Sequence, residues 1–162
     1  PHLVSLFRES QCRFLHLICH ASDTSIETTI DRLSYDDFAE YFKGHLQLRR
    51  LFCSACELGN DKFLNAMLST NNSMHSIVAP VTAIGYEEYA AVWSAFYASI
   101  FAQYSEKMTE KAIRHRLNQI VNLFDIKLLF AQFDPQNKSW RKHELKSNLQ
   151  CDSPRLDGNR QS

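Results

Sequence analysis

The fold turns on how Tyr35–Gly59, YDDFAEYFKGHLQLRRLFCSACELG, is read. Phe38, Tyr41, Leu48, Leu51, Phe52 and Ala55 recur at spacings near three and four, the period of one buried helix face. Ser34 can cap such a helix, and Asp36 and Asp37 fall in its first turn, where carboxylates meet the positive end of the helix dipole. Gly59 supplies a stop. The stretch is therefore predicted to be one long amphipathic helix.

Working outward, residues 2–18 carry Leu3, Leu6, Phe7, Phe14, Leu17 and Ile18, a helical stripe interrupted near Ser10-Gln11. The chain opens at Pro1 as if already inside a helix, which implies residues upstream. Residues 19–33 are polar and Ser/Thr-rich and read as a connection. A short helical segment follows at Asp61–Leu68, then a polar stretch, Ser69–Ser73, leading to His75; Pro80 and Gly85 punctuate the next connection. Two long helices are expected, one from Tyr86 with Tyr89, Trp93, Phe96, Tyr97, Ile100 and Tyr104 on its apolar face. The other starts near Thr109, with Ile113, Leu117, Ile120, Val121, Phe124 and Leu128. After Asp134-Pro135 the chain turns polar. The predicted architecture is all-α: one helical domain over residues 1–134 and a polar, disordered tail over 135–162.

Composition agrees with a single domain. At 162 residues, with 44% apolar residues and only four Gly and four Pro, the chain has material for one core and few turns. Lys plus Arg and Asp plus Glu balance at 18 each, so there is no excess of positive charge to draw a nucleic acid or an anionic membrane. No apolar run approaches the roughly 18–20 residues of a membrane span. Five cysteines (Cys12, Cys19, Cys53, Cys56, Cys151) without framework spacing read as free thiols in a reducing, cytoplasmic setting.

Three stretches taken together resemble the globin family, in particular its divergent invertebrate, nematode-like members, truncated at the N-terminus. Gln47-Leu48-Arg49-Arg50-Leu51-Phe52 fits the order of a distal residue, a basic residue and two apolar residues on helix E. His75 follows Gln47 by 28 residues, near the distal-to-proximal separation, with Leu58–Leu64 at the turn between helices E and F. Residues 87–108 and 110–130 look like helices G and H. Helix A has no counterpart, and the connection to the distal site is longer than usual.

The resemblance implies haem b bound through His75 to iron, with Gln47 as distal donor to a diatomic gas such as O2 or NO. It implies Arg50 on a propionate, Leu51 lining the pocket, and Phe14 or Leu17 against the haem face. His45, in Phe42-Lys43-Gly44-His45, is a rival distal ligand that would give a six-coordinate iron. The alternative is a haem-free helical interaction or regulatory module. The oligomeric state, including self-association, is open.

Other chemistry is weaker. Cys12, His16, Cys19 and His20 lack the spacing of a zinc finger, and Cys53-x-x-Cys56 falls inside the expected helix with no second pair. No nucleophile–base pair or phosphate-cradling glycine loop has its necessary context, so no enzymatic activity is assigned.

Overall fold

A computed structural model describes residues 2–10, 12–28, 31–103 and 108–148. Of these, 41% are helical and 27% lie in strands, which corrects the all-α reading to a mixed α/β fold. The order is α1 (His2–Glu9), β1 (Phe14–Ile18), β2 (His20–Ala21), β3 (Ser25–Glu27), β4 (Arg32–Ser34), α2 (Tyr35–Tyr41), β5 (Arg50–Ser54), α3 (Asp61–Thr70) and β6 (Ser76–Pro80). It closes with α4 (Tyr86–Gln103), α5 (Glu110–Phe124), β7 (Leu128–Asp134) and β8 (Ser139–Leu145).

Five strands make the main sheet in the order β1-β5-β6-β7-β8, and β2-β3-β4 form a small second sheet. β1, β5 and β6 run parallel, while β7 and β8 add on antiparallel. The strand alternation of side chains divides the core in two. Leu17, Leu51, Cys53, Ile77, Ala79, Leu129 and Ala131 pack against Phe7 of α1, Phe38 of α2 and Phe63, Leu64 and Met67 of α3. Phe52, Val78, Leu128 and Phe130 pack on the opposite side against Val92, Trp93, Phe96 and Ile100 of α4 and Ile113, Leu117, Ile120 and Val121 of α5. The result is three layers, helix–sheet–helix.

The 35–59 stretch shows why the helical reading fails. Ser34 does cap α2, its hydroxyl accepting from Asp37 N–H at 3.1 Å, with Asp36 and Asp37 in the first turn. The helix then stops at Tyr41 instead of running to Gly59. Gly44 (φ 73°) and Leu48 (φ 55°) take left-handed conformations that a helix cannot include, and the chain emerges as β5. Leu51, Phe52 and Cys53 are buried from both faces, so the strand reads as a continuous apolar run with no period-2 signal.

The same correction applies along the chain. The stripe over residues 2–18 is a short helix followed by β1, and the connection at 19–33 contains the small sheet. The segment around His75 leads into β6, and Leu128 belongs to β7, not to a last long helix. α3, α4 and α5 fall where expected, although Tyr104 lies outside the described residues. Ser139–Leu145, expected in a polar tail, form β8 and pair with β7 along their whole length. Trp140 donates its indole N–H to Leu64 C=O at 2.8 Å, and Lys142 pairs with Asp61 at 2.8 Å, anchoring β8 to α3. Charged side chains on β8 mark it as a sheet edge.

A chain ended after Lys138 is expected to lose several kcal/mol of stability, because Phe130 and Leu128 would face an unpaired edge. A urea titration followed by circular dichroism checks this; an unchanged midpoint would mean that β8 contributes nothing.

Candidate functional site

The residues expected to hold haem do not share a pocket. His75 is exposed just before β6, at the N-terminal edge of the parallel strands, where its backbone N–H bonds Arg49 C=O at 2.8 Å. Burial of the ring and the neighbouring Arg50 and Arg13 charges lower its pKa. Gln47 is exposed and His45 half-buried in the turn between α2 and β5, so neither sits on a helix over an iron site. Arg50 is held internally, donating to Ser76 Oγ at 2.9 Å and Met108 C=O at 3.1 Å. Leu51 and Leu17 belong to one face of the sheet and Phe14 to the other. A sheet divides these residues, so they do not together wall one slot for a flat ligand, and the mixed α/β fold overturns the globin reading. The helical regulatory module also falls, because the chain is not a helical bundle.

The parallel strands assemble something else. In such sheets the carboxyl ends of the strands open into loops that can converge on a ligand while the strands stay rigid. The last paired residues of β1 and β5 are Ile18 and Ser54, and the ladder extends one step further through Cys19 N–H to Ser54 C=O at 3.2 Å. Two residues beyond each lie His20 and Cys56. On this side of the sheet Phe14 and His16 of β1 and Phe52 of β5 face α4, and Cys56 packs against the same cluster. An imidazole and a thiol thus each follow the last paired residue of two adjacent parallel strands by two positions, His20 as the first residue of β2 and Cys56 in the turn after β5.

The turn carrying the thiol is tightly determined. Leu58 N–H closes onto Ala55 C=O at 3.4 Å, and Glu57, directly after the cysteine, is left-handed (φ 56°). A non-glycine residue held there is a local strain that the surroundings must enforce. Gly59 N–H bonds Pro80 C=O at 2.7 Å, pressing the loop against the end of β6. A Cβ on Gly59 would lie 2.8 Å from the Pro80 oxygen and 2.9 Å from that of Ala79, so only glycine fits this approach. Asn60 caps α3 through Phe63 N–H and uses its amide to donate to Glu57 C=O at 2.7 Å and to the Tyr35 hydroxyl at 3.2 Å. Tyr35 in turn donates to Ser22 C=O, in the turn between β2 and β3. This chain of bonds couples the small sheet bearing His20 to the loop bearing Cys56.

The thiol is half-buried, with Sγ 3.9 Å from Ile84 C=O, just ahead of α4. His20 is exposed and stands opposite Glu27 across the β2–β3 pair. A cleft of about 400 Å³ borders the turn, lined by Asp23, Glu57, Gly59, Asn60, Asp61, Lys62 and Val81. Lys62 pairs with Asp23 at 3.2 Å and Lys142 with Asp61 at 2.8 Å, leaving the Glu57 carboxylate without an ion pair among the described residues.

A second pair competes on distance alone. His16 Nε2 is 2.8 Å from Ser54 Oγ, and its Nδ1 is 3.0 Å from the Tyr97 hydroxyl, the form of a nucleophile, base and orienting group. Access and basicity exclude it from catalysis. Ser54 is only 4% exposed, and burial lowers the His16 pKa to about 4, too weak a base at neutral pH. The trio is a tie joining β1, β5 and α4.

Among the described residues no group of three His, Cys, Asp or Glu side chains could hold a metal ion, so the Cys12–His20 cluster has no metal geometry. Cys53 and Cys56 are not a helical CxxC: one is buried in β5 and the other follows it in a turn. Cys151 lies outside the described residues. No helix among them is long and apolar enough to cross a membrane. The sequence reading met His20 and Cys56 only as members of other motifs. The missed signal is their parallel placement, each just after a short apolar run, FLHLIC and RLFCSA. No protein-family model matches the sequence, and the curated proteins contain no significant relative.

Gly59→Ala is expected to destabilise the chain by about 2 kcal/mol or more, since both opposing atoms are backbone; a urea midpoint equal to wild type would refute the close approach. For His16, the unfolded chain takes up a proton near pH 6.5 that the folded chain refuses until about pH 4. Its contribution to stability is therefore complete above 6.5 and declines as pH falls toward 4. His16→Gln should flatten that part of the decline in urea midpoints measured between pH 7 and 5.

Proposed function

We propose that the chain is a thiol–imidazole hydrolase or acyl-transferase, with Cys56 as nucleophile and His20 as general base. The observation that carries this reading is the parallel pairing of β1 and β5, which ends at Ile18 and Ser54, two residues before His20 and Cys56. A thiol at the end of a buried strand, on a turn held by Gly59 and Asn60, has the rigid support that nucleophilic catalysis requires.

In the reaction, His20 takes the proton from Cys56 Sγ, and the thiolate adds to a substrate carbonyl carbon. The bond to the leaving group breaks as His20 returns the proton to it, leaving a thioester. Water, deprotonated by His20, then releases the acid and restores the thiol. The cleft beside Glu57 is the place for the substrate's flanking group. Three carboxylates against one ammonium favour a neutral or positively charged group there. The free thiols Cys12, Cys19, Cys53 and Cys56 suit a reducing compartment such as the cytoplasm, where a cysteine nucleophile stays active.

The test uses p-nitrophenyl acetate as acyl donor. A burst of about one p-nitrophenolate per chain is expected from the wild type, abolished by Cys56→Ala and slowed at least tenfold by His20→Ala. A burst that survives Cys56→Ala would overturn the assignment, as would its absence from wild type.

A further inference from the structure

Strand β1 ends the main sheet and pairs with β5 alone. In that ladder Arg50 N–H bonds Arg13 C=O at 3.0 Å, and Cys19 N–H bonds Ser54 C=O at 3.2 Å. Backbone groups along a strand alternate in direction, so Arg13, Leu15, Leu17 and Cys19 turn theirs to β5. Phe14, His16 and Ile18 turn theirs away from it, and these have no hydrogen-bonding partner among the described residues. The two edges of the sheet meet solvent differently. β8 carries Arg141, Lys142 and Glu144, whereas Phe14-Leu15-His16-Leu17-Ile18 has no Asp, Glu, Lys or Arg. An apolar edge with a row of free backbone groups is a template for another strand.

The pattern of this strand selects its partner. It reads alike in either direction about His16, with a leucine on each side and a large apolar residue at each end. In an antiparallel pair centred on His16, Phe14 falls opposite Ile18 of the second strand, and His16 opposite its own counterpart. Those are the residues whose N–H and C=O groups face outward, so every outward group gains a partner. An aromatic and a β-branched side chain then lie opposite each other, a favourable cross-strand combination. Ile18, 66% exposed, comes beside Phe14 of the other copy, whose ring is 6.3 Å from that of Phe101, itself 44% exposed. Exposed apolar groups of both copies are covered together. Pairing β1 with β8 of another copy would instead set charged residues beside this apolar strand and build a head-to-tail assembly with a free edge at each end.

We propose that β1 is a dimer interface, pairing antiparallel with β1 of a second copy about a two-fold axis at His16 and joining the two main sheets into one. The contact is short, so the dimer dissociates on dilution. It stands independently of the thiol–imidazole reading.

Sedimentation velocity over a wide range of concentration tests it, with monomer expected at the dilute end and dimer at the concentrated end. Ile18→Lys, at an exposed position, should raise the dissociation constant about tenfold or more while leaving the far-UV circular dichroism spectrum unchanged. Ile18→Pro, which removes an outward N–H and none of the ladder to β5, should weaken the dimer likewise. Leu123→Lys, at a position 71% exposed on α5, should dimerise as wild type does. Hydrogen exchange on the wild-type chain needs no substitution: the amides of Phe14, His16 and Ile18 should exchange freely in dilute solution and gain protection as the dimer forms. A monomer at every concentration would overturn the proposal, and protected amides in that monomer would mean that the chain itself covers the edge. A dimer insensitive to both Ile18 substitutions would overturn it by placing the interface elsewhere. Species growing beyond the dimer would overturn it in favour of an open β1–β8 assembly.

Discussion

Strand β5 lies between two parallel neighbours and between two helical layers, and the rest of the molecule is arranged to keep it dry. Leu51 and Cys53 fill one face and Phe52 the other, each with no exposed surface. Burying a Leu or Phe side chain in this way contributes about 2–3 kcal/mol apiece, and a strand so placed also needs its backbone groups paired on both edges. β1 and β6 meet that need, and α2 and α3 on one side and α4 and α5 on the other cover the apolar faces. Once β5 is enclosed, its exit is dictated. The chain must leave at the carboxyl end through a turn tight enough to reach α3, and Cys56 sits in that turn.

The candidate site is a consequence of this enclosure. Its two proposed groups come from strand β2 and from the turn after β5, and both segments are tied to rigid elements: Gly59 to the end of β6, Asn60 to α3 and to Tyr35, and Tyr35 to the small sheet. His16 and Ser54 differ from the proposed pair in burial. Those two are within hydrogen-bond distance, yet they lie within the sheet, where burial weakens the base and closes off a substrate. Beyond the last pair of that ladder come His20, in β2, and Cys56, in the turn after β5. There the imidazole is exposed and the thiol half-buried beside a cleft.

Legibility followed the length and one-sidedness of each element. α4 and α5 keep a helical apolar period over 18 and 15 residues, α3 carries its capping asparagine, and Ser34 caps α2 as its sequence suggests. Strands of five residues buried on both faces have no alternation to display, so RLFCS and SIVAP could each pass for a turn of buried helix. β8 failed for the opposite reason, since its charged edge residues look like solvated tail. A chance helical spacing across Gly44 then joined α2 to β5 and supplied the Gln47–His75 separation on which the globin resemblance rested.

By itself, the amino-acid order determined the amphipathic helices, the capping signals, the balanced charge and the presence of free thiols, because each depends on neighbours within a few positions. Tertiary structure alone decided that Arg50–Ser54 is a central strand and that β1 and β5, the segments ahead of His20 and Cys56, are neighbours. Strand pairing joins residues 36 positions apart in this chain, and no local pattern records which distant segment will supply the matching hydrogen bonds.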